Sequence, residues 1–526
     1  MEESGSRKLG LNLRYNEKMS RKTYRWLICQ CALFFSWHFL LAAGPDKTAS
    51  FRLFYSANRE GEVEPCHCQG EQLGGLARVQ TFLQTEKKSA PDQVFWGDAG
   101  DMFFLLPTLP VGEEDSSRLR AETIARALGK MGLEAMEPGE RDFAAGLPFL
   151  MKLQKLSGVN FISANLTNDQ GHLLFEPFHL FTKRTVKLAV FGVVEESQFQ
   201  KVPGVKVLPA RPALEKALSE VQAQKPDLVV VLSHLGLDKD RELAQQLAGV
   251  DVIVGSHSSD ILDQPVQVKE VSIVQAQSQG RQMGILDLKL PGKQRIAHRL
   301  INLGESFDAK NAITDLMKTY RESLRQLAKR GTAEKKEPAG KSWVAHPENC
   351  RTCHRAQYDF WAGTKHAAAY LTLYAKNQHF DPACISCHSL GFKRPGGFLR
   401  ITAPLELKGE TGDGDFPVEH LMKTIFAGEP EGKPLNSRSD PARFAKLHVR
   451  FLSEMSQLEK TPGINHNFLG VQCEHCHGSR IGHPGNAKAE ISRVNLDTCR
   501  TCHRAPNAPE FDPKWKVRVA CPLMKH

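Results

Sequence analysis

Eight of the thirteen cysteines fall in four short runs of the pattern C-x-x-C-H. In this spacing two thiols about one helical turn apart can each add across a vinyl group of a haem, and the adjacent histidine can reach the iron. The thiols of the four runs are Cys350, Cys353, Cys384, Cys387, Cys473, Cys476, Cys499 and Cys502, and their histidines are His354, His388, His477 and His503. The pattern predicts four covalently attached haems c with these histidines as proximal ligands.

Zinc sites and disulfides are two other uses of paired cysteines. Zinc ribbons often use C-x-x-C pairs, and disulfides form in oxidising compartments. Neither explains why a histidine follows the second cysteine in all four runs. The haem interpretation is therefore favoured over both alternatives.

The region after Lys341 also has a surplus of histidines. They are His346, His366, His379, His420, His448, His466, His475, His483 and His526. Each haem iron has a sixth coordination position that such a side chain can occupy. The surplus favours bis-histidine ligation, which is typical of electron transfer, whereas an open position would favour chemistry on a substrate.

Several segments around the four runs resemble one cytochrome family. They are Trp361 with Thr364–Ala369, Asp381–Cys384, Gly470–Gly478 with His483, and Pro509–Asp512. They are similar to the tetrahaem cytochromes typified by the electron-accepting cytochrome of hydroxylamine oxidation. The resemblance implies that His366 and His483 are distal ligands, with His466, His526 and His346 as further candidates. The tail departs from the family pattern around Cys521.

Residues 51 to about 300 alternate apolar, strand-like runs with helical stretches. The predicted strands are Phe51–Ser56, Val94–Trp96, Phe161–Ala164, Val186–Val194, Leu228–Leu232 and Val252–Val254, and the predicted helices are Arg118–Met131 and Ala213–Ala223. This alternation predicts a layered α/β fold. After residue 341 we expect a mainly α-helical, loop-rich haem domain.

Polar clusters follow four of the predicted strands. They are Gly97–Asp98, Ser163–Asn165, Ser233–His234 and Gly255–Ser259. Together with Gln275–Arg281 and Met283–Gly284, their order resembles the calcineurin-like metallophosphoesterases, and most closely the 5'-nucleotidase branch. The resemblance implies a sandwich fold that holds two metal ions at strand ends.

The sequence departs from that family at several of its metal-binding positions. Asn58 and Glu60 stand where the family has an aspartate and a histidine, and Arg141 stands where it has the catalytic histidine. Where the family has an aspartate that pairs with this histidine, the sequence has Ala144. Where the family has the last histidine of the pattern, it has Ser259. The resemblance then implies that one metal site is dismantled. It also implies that hydrolysis is lost or weak, because the proton donor is missing.

The second metal site keeps its ligands in this resemblance. They are Asp98, Glu140, His234 and His257. Two imidazoles and two carboxylates suit one zinc, manganese or iron(II) ion. A scaffold that binds no metal is the alternative.

Two further cysteines, Cys66 and Cys68, lie just after the altered first motif. Their loop would reach toward the metal pocket. A thiolate pair there could bind a soft metal or a sulfur species. The simpler interpretation is a structural loop in which one cysteine is bridged to Cys521.

The start of the chain is typical of an export signal. Arg21, Lys22 and Arg25 precede an apolar stretch, Trp26–Ala43, that ends in small residues. This order predicts a cleaved secretory signal and a periplasmic or extracytoplasmic location, with an uncleaved membrane anchor as the alternative. The predicted regions are 1–44 for this head, 45–305 for the phosphoesterase-like domain, 306–341 for a helix and polar linker, and 342–526 for the haem domain.

Charge and motifs together narrow the function. The formal charge is +10 over 526 residues and the basic residues are scattered, so we expect no nucleic-acid partner. The motifs favour an electron carrier that meets redox partner proteins and whose N-terminal pocket binds a small ligand or docks a partner. The alternatives are a redox or sulfur-transforming enzyme that uses this pocket, and a metal-dependent 5'-nucleotidase-like hydrolase.

Overall fold

The structure, a computed structural model, describes most of the chain between residues 49 and 503. The described residues are 49–65, 72–89, 93–258, 260–290, 294–334, 347–393, 397–407, 417–430, 433, 435, 437, 439–460, 464–478, 494 and 496–503. The predicted export signal, Cys66, Cys68, Ser259, His346, His483, Cys521 and His526 lie outside them. Within the described part, no helix is both long and apolar enough to cross a membrane.

The N-terminal region contains two six-stranded sheets. The strands in chain order are β1 (Ala49–Ser56), β2 (Val94–Asp98), β3 (Ala135–Met136), β4 (Asn160–Phe161), β5 (Leu166–Thr167), β6 (Phe178–Lys183), β7 (Val186–Val194), β8 (Lys206–Val207), β9 (Leu228–His234), β10 (Val252–Gly255), β11 (Val266–Val268), β12 (Val271–Val274), β13 (Gln282–Leu290) and β14 (Gln294–Asn302). The first sheet has the order β14-β13-β1-β2-β3-β4 and the second β11-β12-β10-β9-β7-β6, while β5 and β8 pair as a separate two-stranded sheet. Each has parallel central strands and antiparallel strands at an edge.

Six helices accompany these sheets. They are α1 (Leu76–Lys88), α2 (Glu114–Met131), α3 (Leu147–Ser157), α4 (Ala210–Gln222), α5 (Leu237–Gln246) and α6 (Ala312–Glu334). One apolar cluster lies between the sheets and includes Phe95 and Leu232. A second joins α1–α3 and α6 to the outer face of the first sheet. A third joins α4 and α5 to the outer face of the second. The region is therefore a layered α/β sandwich, as predicted.

Strand ends differ from prediction where polar residues continue a strand. β7 spans Val186–Val194, the predicted bounds. β2 extends to Asp98, two residues beyond its predicted end at Trp96, because Gly97 and Asp98 pair with both β1 and β3. This extension moves the loop that follows β2 and changes which aspartate enters the pocket.

The described part of the haem-motif region contains one long helix, α12, several helices of nine residues or fewer, and one two-stranded sheet. The helices are α7 (Pro347–Arg351), α8 (Arg355–Ala362), α9 (Ala369–Ala375), α10 (Pro382–His388), α11 (Pro417–Ile425), α12 (Pro441–Lys460), α13 (Cys473–His477) and α14 (Leu496–Arg500), and the strands are β15 (Leu405–Leu407) and β16 (Ile464–Asn467). The described part is mainly helical with long connections, in agreement with the expected class.

The connecting helix α6 lies inside the region predicted as helix and polar linker, 306–341. Its buried side chains include Ile313, Met317, Tyr320 and Leu324, an amphipathic spacing. The helix continues through Gly331 to Glu334, because a single glycine is tolerated in a helix.

The two regions pack against each other. The same apolar cluster that covers the first sheet includes Phe82 of α1, Tyr320 of α6, Tyr370 and Leu371 of α9, and Phe451 of α12. A chain that buries apolar side chains from both regions together gains free energy from their contact. The haem-motif region therefore packs directly against the sandwich and is not joined to it only by the linker.

Replacement of Gly284 by alanine is expected to destabilise the sandwich. Gly284 of β13 lies opposite Tyr55 of β1, and an added Cβ would overlap the Tyr55 ring. Overpacking of this kind costs about 1–3 kcal/mol. Chemical denaturation should show a loss of that size for Gly284→Ala. At Gly363 a Cβ would meet only ordinary contacts. Gly363→Ala is thus the control, and an equal loss there would contradict the argument.

Candidate functional site

Four side chains with metal-ligand atoms meet at one edge of the sandwich. Asp101 follows β2, Glu140 follows β3, His234 ends β9 and His257 follows β10. One ligand atom from each lies within 4.8 Å of the others. The carboxyl ends of parallel strands meet at one edge of a sheet, and both sheets present that edge here. The fold thus gathers two carboxylates and two imidazoles from distant parts of the chain.

The backbone of this pocket is strained. Four non-glycine residues adopt left-handed conformations, with φ of 48° at Asn58, 56° at Glu60, 51° at Asp101 and 67° at His257. Each such residue costs about 1–2 kcal/mol. Hydrogen bonds hold two of them in place, because Asn58 N donates to Gly100 O at 2.8 Å and Glu60 N donates to Asp101 O at 2.7 Å. Strain gathered in one pocket is typical of functional sites.

His234 is oriented for metal binding. Its side chain is fully buried, and Nδ1 donates to the carbonyl of Ala99 at 2.9 Å. Nε2 then faces the pocket, 3.0 Å from Glu140 Oε2 and 3.5 Å from Asp101 Oδ2. Burial lowers the pKa of His234, but the charges of Asp101 and Glu140 outweigh burial and raise it well above its ordinary value. A bonded Nδ1–H is the usual support of an imidazole ligand.

His257 lies at the opening of the pocket. Its side chain is 33 % exposed, and Nδ1 is 3.8 Å from Glu140 Oε2. This buried nitrogen has no hydrogen-bond partner among the described residues. Burial and the charge of His234 lower the pKa of His257, which favours the neutral form that binds metals. A buried ring nitrogen without a hydrogen-bond partner beside two carboxylates suits a cation ligand.

Arg141 joins the carboxylates of the pocket. Its guanidinium contacts Glu60 Oε1 at 2.6 Å, Asp101 Oδ2 at 3.1 Å and Glu140 Oε1 at 3.6 Å. Its backbone N–H donates to Asp101 Oδ1 at 3.1 Å. A guanidinium stays protonated at all relevant pH values. Arg141 can therefore hold negative groups but cannot donate a catalytic proton.

The structure places Asp101 in the ligand group in place of the expected Asp98. Asp98 is buried at the end of β2, where it accepts hydrogen bonds from Ser56 Oγ at 2.6 Å and Gly100 N at 2.9 Å. Because β2 extends to Asp98, that carboxylate closes the turn, and Asp101 is the one that reaches the ligand group. Glu140, His234 and His257 lie together as expected.

The donor set fits zinc, manganese or iron(II). Gly139 makes room for it, since a Cβ there would overlap Asp101 Oδ1 and the ring of His234. A metal ion bound here would supply a Lewis acid that polarises a ligand oxygen.

The two residues that differ from the phosphoesterase pattern in the first motif also line the pocket. Asn58 accepts a hydrogen bond from His257 N at 3.2 Å, and Glu60 accepts one from Gln279 Nε2 at 3.0 Å.

The haem motifs lie on single helical turns. His354 N donates to Cys350 O, and His503 N donates to Cys499 O, each at 2.8 Å. The second and third motifs end α10 and form α13. A helical turn places the first cysteine and the histidine on one face. In each run the thiols and the histidine can therefore face one haem.

His388 shows the orientation expected of a haem ligand. Its Nδ1 donates to the carbonyl of Ala369 at 2.8 Å. The remaining nitrogen, Nε2, is then the one available to iron. Burial lowers the pKa of His388, which keeps the imidazole in its ligand form. A haem attached here would supply one-electron chemistry.

His366, expected as a distal ligand, lies beside later haem motifs. Its ring centroid is 5.8 Å from that of His503, and its carbonyl accepts a hydrogen bond from Val471 N at 2.9 Å. Burial lowers its pKa. His466 lies on β16, where its backbone pairs with Glu406. His346, His483 and His526, like the pair Cys66 and Cys68, lie outside the described residues.

His448 is a further ligand candidate that the sequence did not single out. It lies on α12 and is 9 % exposed, and burial lowers its pKa, with the backbone of Ala362 at the end of α8 acting in the opposite direction. Its Nε2 is buried and has no hydrogen-bond partner within the described part of the chain. A buried ring nitrogen of this kind suits a haem ligand. Among the surplus histidines, burial on α12 distinguishes His448 from the exposed His420.

A family model and sequence relatives match different parts of the chain. Residues 349–409 match the model of the family described as cytochrome c554 and c-prime. That range includes the first two haem motifs, Cys350–His354 and Cys384–His388. The match favours the haem interpretation over zinc and disulfides.

The relatives are 5'-nucleotidases. The 5'-nucleotidase of Vibrio cholerae is 30 % identical over 168 residues, which cover 28 % of this chain and 30 % of that protein. That of Bos taurus is 25 % identical over 253 residues, which cover 43 % of this chain and 42 % of that protein. The chain thus spans less than half the length of these relatives. It joins a 5'-nucleotidase-like region to a region similar to cytochrome c554.

Solved structures give weaker likenesses. The 5'-nucleotidase precursor of Thermus thermophilus superimposes with a TM-score of 0.46 at 22 % identity, covering 53 % of this chain and 59 % of that one. The sulfate thiohydrolase SoxB of the same genus and species superimposes with a TM-score of 0.46 at 19 % identity, covering 53 % and 61 %.

Two aspartate substitutions test the composition of the metal site. We expect Asp101→Asn to lower the affinity for Zn²⁺ by about 100-fold, because it removes a charged ligand. Asp98→Asn keeps an oxygen that can accept from Gly100 and should lower the affinity by less than about threefold. Equilibrium dialysis with elemental analysis measures both. The reverse order of effects would restore Asp98 as the ligand.

Proposed function

We propose that the chain is an exported tetrahaem c-type cytochrome that transfers electrons between redox partner proteins. In this proposal the phosphoesterase-like domain binds one divalent metal ion and a small ligand. The observation that supports the haem part of the proposal is the hydrogen bond that His388 Nδ1 donates to Ala369 O at 2.8 Å. This bond leaves Nε2 as the nitrogen that could bind iron. The four C-x-x-C-H runs and the cytochrome c554 match support it.

An extracytoplasmic location follows from the same chemistry. Haem is attached to C-x-x-C-H motifs outside the cytoplasm, and the apolar stretch Trp26–Ala43 suits an export signal. We propose a periplasmic or extracytoplasmic protein on these two grounds.

The metal half of the proposal rests on Asp101, Glu140, His234 and His257. We propose a single metal ion, because Arg141 occupies the space between Glu60 and Asp101 with a fixed positive charge. The pocket opens at His257 and Arg141, whose side chains are 33 % and 25 % exposed. A guanidinium at the opening favours an anionic ligand, such as a phosphate ester or another oxyanion.

A metal-dependent hydrolase is the second candidate. The likeness to 5'-nucleotidases and the ligand group favour it. Against it, Arg141 cannot protonate a leaving group, and general-acid catalysis is typically worth about 10²–10⁴ in rate. A redox or sulfur-transforming enzyme remains a further alternative that depends on Cys66 and Cys68.

Haem content and spin state test the haem half. The mature chain is expected to carry four haems by pyridine haemochrome. His448→Ala should keep four haems but convert one from low spin to high spin, because that iron loses its sixth ligand. Electron paramagnetic resonance detects the change. The exposed His420 provides the control His420→Ala. Fewer than four haems in the mature protein would overturn the tetrahaem proposal.

Phosphate release from AMP in the presence of Mn²⁺ separates the two candidates. The wild-type chain is expected to release little phosphate. Arg141→His should raise the rate by about 100-fold, since it supplies a group that can donate a proton. Rapid hydrolysis by the wild-type chain that Asp101→Ala abolishes would instead establish the hydrolase.

A further inference from the structure

One continuous segment, Asn58–Pro65, runs from the metal pocket to the haem-motif region; it is called the linking segment below. It contains three glutamates spaced two residues apart, Glu60, Glu62 and Glu64. Each glutamate meets a different part of the molecule. Their contacts connect the two candidate sites of the chain.

The first half of the linking segment forms a wall of the pocket. Asn58 Oδ1 accepts a hydrogen bond from His257 N at 3.2 Å. Glu60 Oε1 lies 2.6 Å from the guanidinium of Arg141, which also binds Asp101 at 3.1 Å. A cation that binds Asp101 adds positive charge beside Arg141 and therefore changes the interaction of Arg141 with Glu60 and Asp101.

The second half holds the haem-motif region. Glu64 pairs with Arg321 of α6, and its Oε2 accepts a hydrogen bond from Gln378 Nε2 at 2.7 Å. The carbonyl of Gln378 in turn accepts a hydrogen bond from Asp381 N at 3.0 Å. Asp381 is the N-cap of α10, the helix that carries Cys384, Cys387 and His388. Glu64 is therefore one short turn away from a haem-bearing helix.

A second bridge reaches the same turn from α2. Arg120 Nη2 binds both oxygens of Asp381, at 2.7 and 2.9 Å, and Arg120 Nε donates to Tyr320 Oη at 3.2 Å. Asp381 also caps Ala383 N at 3.0 Å. Side-chain exposure is 19 % for Arg120 and 10 % for Asp381. Such a pair is weakly screened, and breaking one partner leaves the other uncompensated.

Glu62 lies between the two ends. Burial raises its pKa to about 7, and the charges of Arg120, Asp381, Arg281 and Glu60 all act on its carboxyl. Arg281 Nη2 donates to Gln279 Oε1 at 2.5 Å, and Gln279 Nε2 donates to Glu60 Oε2 at 3.0 Å. Charged and hydrogen-bonding groups therefore lie in succession from the pocket toward the cap of α10.

We propose that binding of a divalent cation in the pocket and reduction of the haem attached at Cys384 and Cys387 are coupled through the linking segment and the Arg120–Asp381 pair. This inference rests on the proposed function, because it requires both the metal and the haem. Reduction takes one electron from a donor and converts iron(III) to iron(II). A cation at the pocket favours that added negative charge, and by linkage the reduced chain binds the cation more tightly.

The experiment measures Mn²⁺ binding to the full haem-loaded chain in two redox states. One sample is oxidised, the other is reduced at an electrode, and free Mn²⁺ is read by room-temperature electron paramagnetic resonance. We expect the reduced chain to bind Mn²⁺ at least about fivefold more tightly, the low end of known allosteric couplings. The midpoint potential of one haem should rise with Mn²⁺ by the same coupling.

Two variants locate the coupling. Arg120→Met removes one bridge, and Glu64→Gln removes the charge of the other while it keeps the shape. Both should bind Mn²⁺ with an affinity ratio between redox states below about twofold. The control is Arg211→Met, which breaks an exposed pair with Glu215 at 2.8 Å on α4 and should keep the full ratio. Glu64→Gln decides the matter if Arg120→Met does not fold.

The outcomes are distinguishable from those of the proposed function. Equal Mn²⁺ affinity in both redox states of the wild-type chain would overturn the coupling and leave the metal site intact. A full ratio in both variants would overturn the route through Arg120 and Glu64. Absence of Mn²⁺ binding in either state would contradict the metal half of the proposed function, and the coupling would fall with it.

Discussion

Three carboxylates meet at one guanidinium, and the pocket depends on that contact. Arg141 lies 2.6 Å from Glu60, 3.1 Å from Asp101 and 3.6 Å from Glu140. Carboxylates gathered in a buried site without counter-charge would cost several kcal/mol. Because the guanidinium is charged at every relevant pH, it holds these groups together before any metal binds. The left-handed backbone at Glu60 and Asp101 is tolerated for the same reason.

This contact also decides what the pocket can do. The guanidinium fixes the orientation of Asp101 while His234 faces it from the second sheet at 3.5 Å. The site is thus pre-organised to bind a cation and to hold an anion at its opening, two tasks that need no proton transfer. A histidine in place of Arg141 would exchange charge for acid–base chemistry. The proposal of a binding site instead of a hydrolytic one therefore rests on the residue at this one position.

Local patterns predicted much of the chain, and tertiary packing decided the rest. A haem motif occupies five consecutive residues, so it can be recognised from the sequence without knowledge of the fold. β7 was predicted with its observed bounds, Val186–Val194, because it is an uninterrupted apolar run. Which of Asp98 and Asp101 is the metal ligand depends on where β2 ends. The strand continues through polar residues, so the apolar pattern of the sequence does not show its end. The sequence lists His448 only as one of nine surplus histidines, and its burial with an unpartnered Nε2, which depends on the packing of α12, is what distinguishes it.

The polar linker suggests two separate domains, yet the contacts between them are specific. The cost of desolvating two charges offsets much of the attraction of an ion pair, so pairs such as Arg325–Glu419, at 2.7 Å with the glutamate buried, cannot by themselves hold the regions together. The shared apolar cluster supplies the attraction, but it is non-directional. The contact of Arg120 Nη2 with both oxygens of Asp381 supplies direction, because the pair is mostly buried and its acceptor also caps α10. The orientation of α10, which carries the second haem motif, thus depends on an arginine of the sandwich.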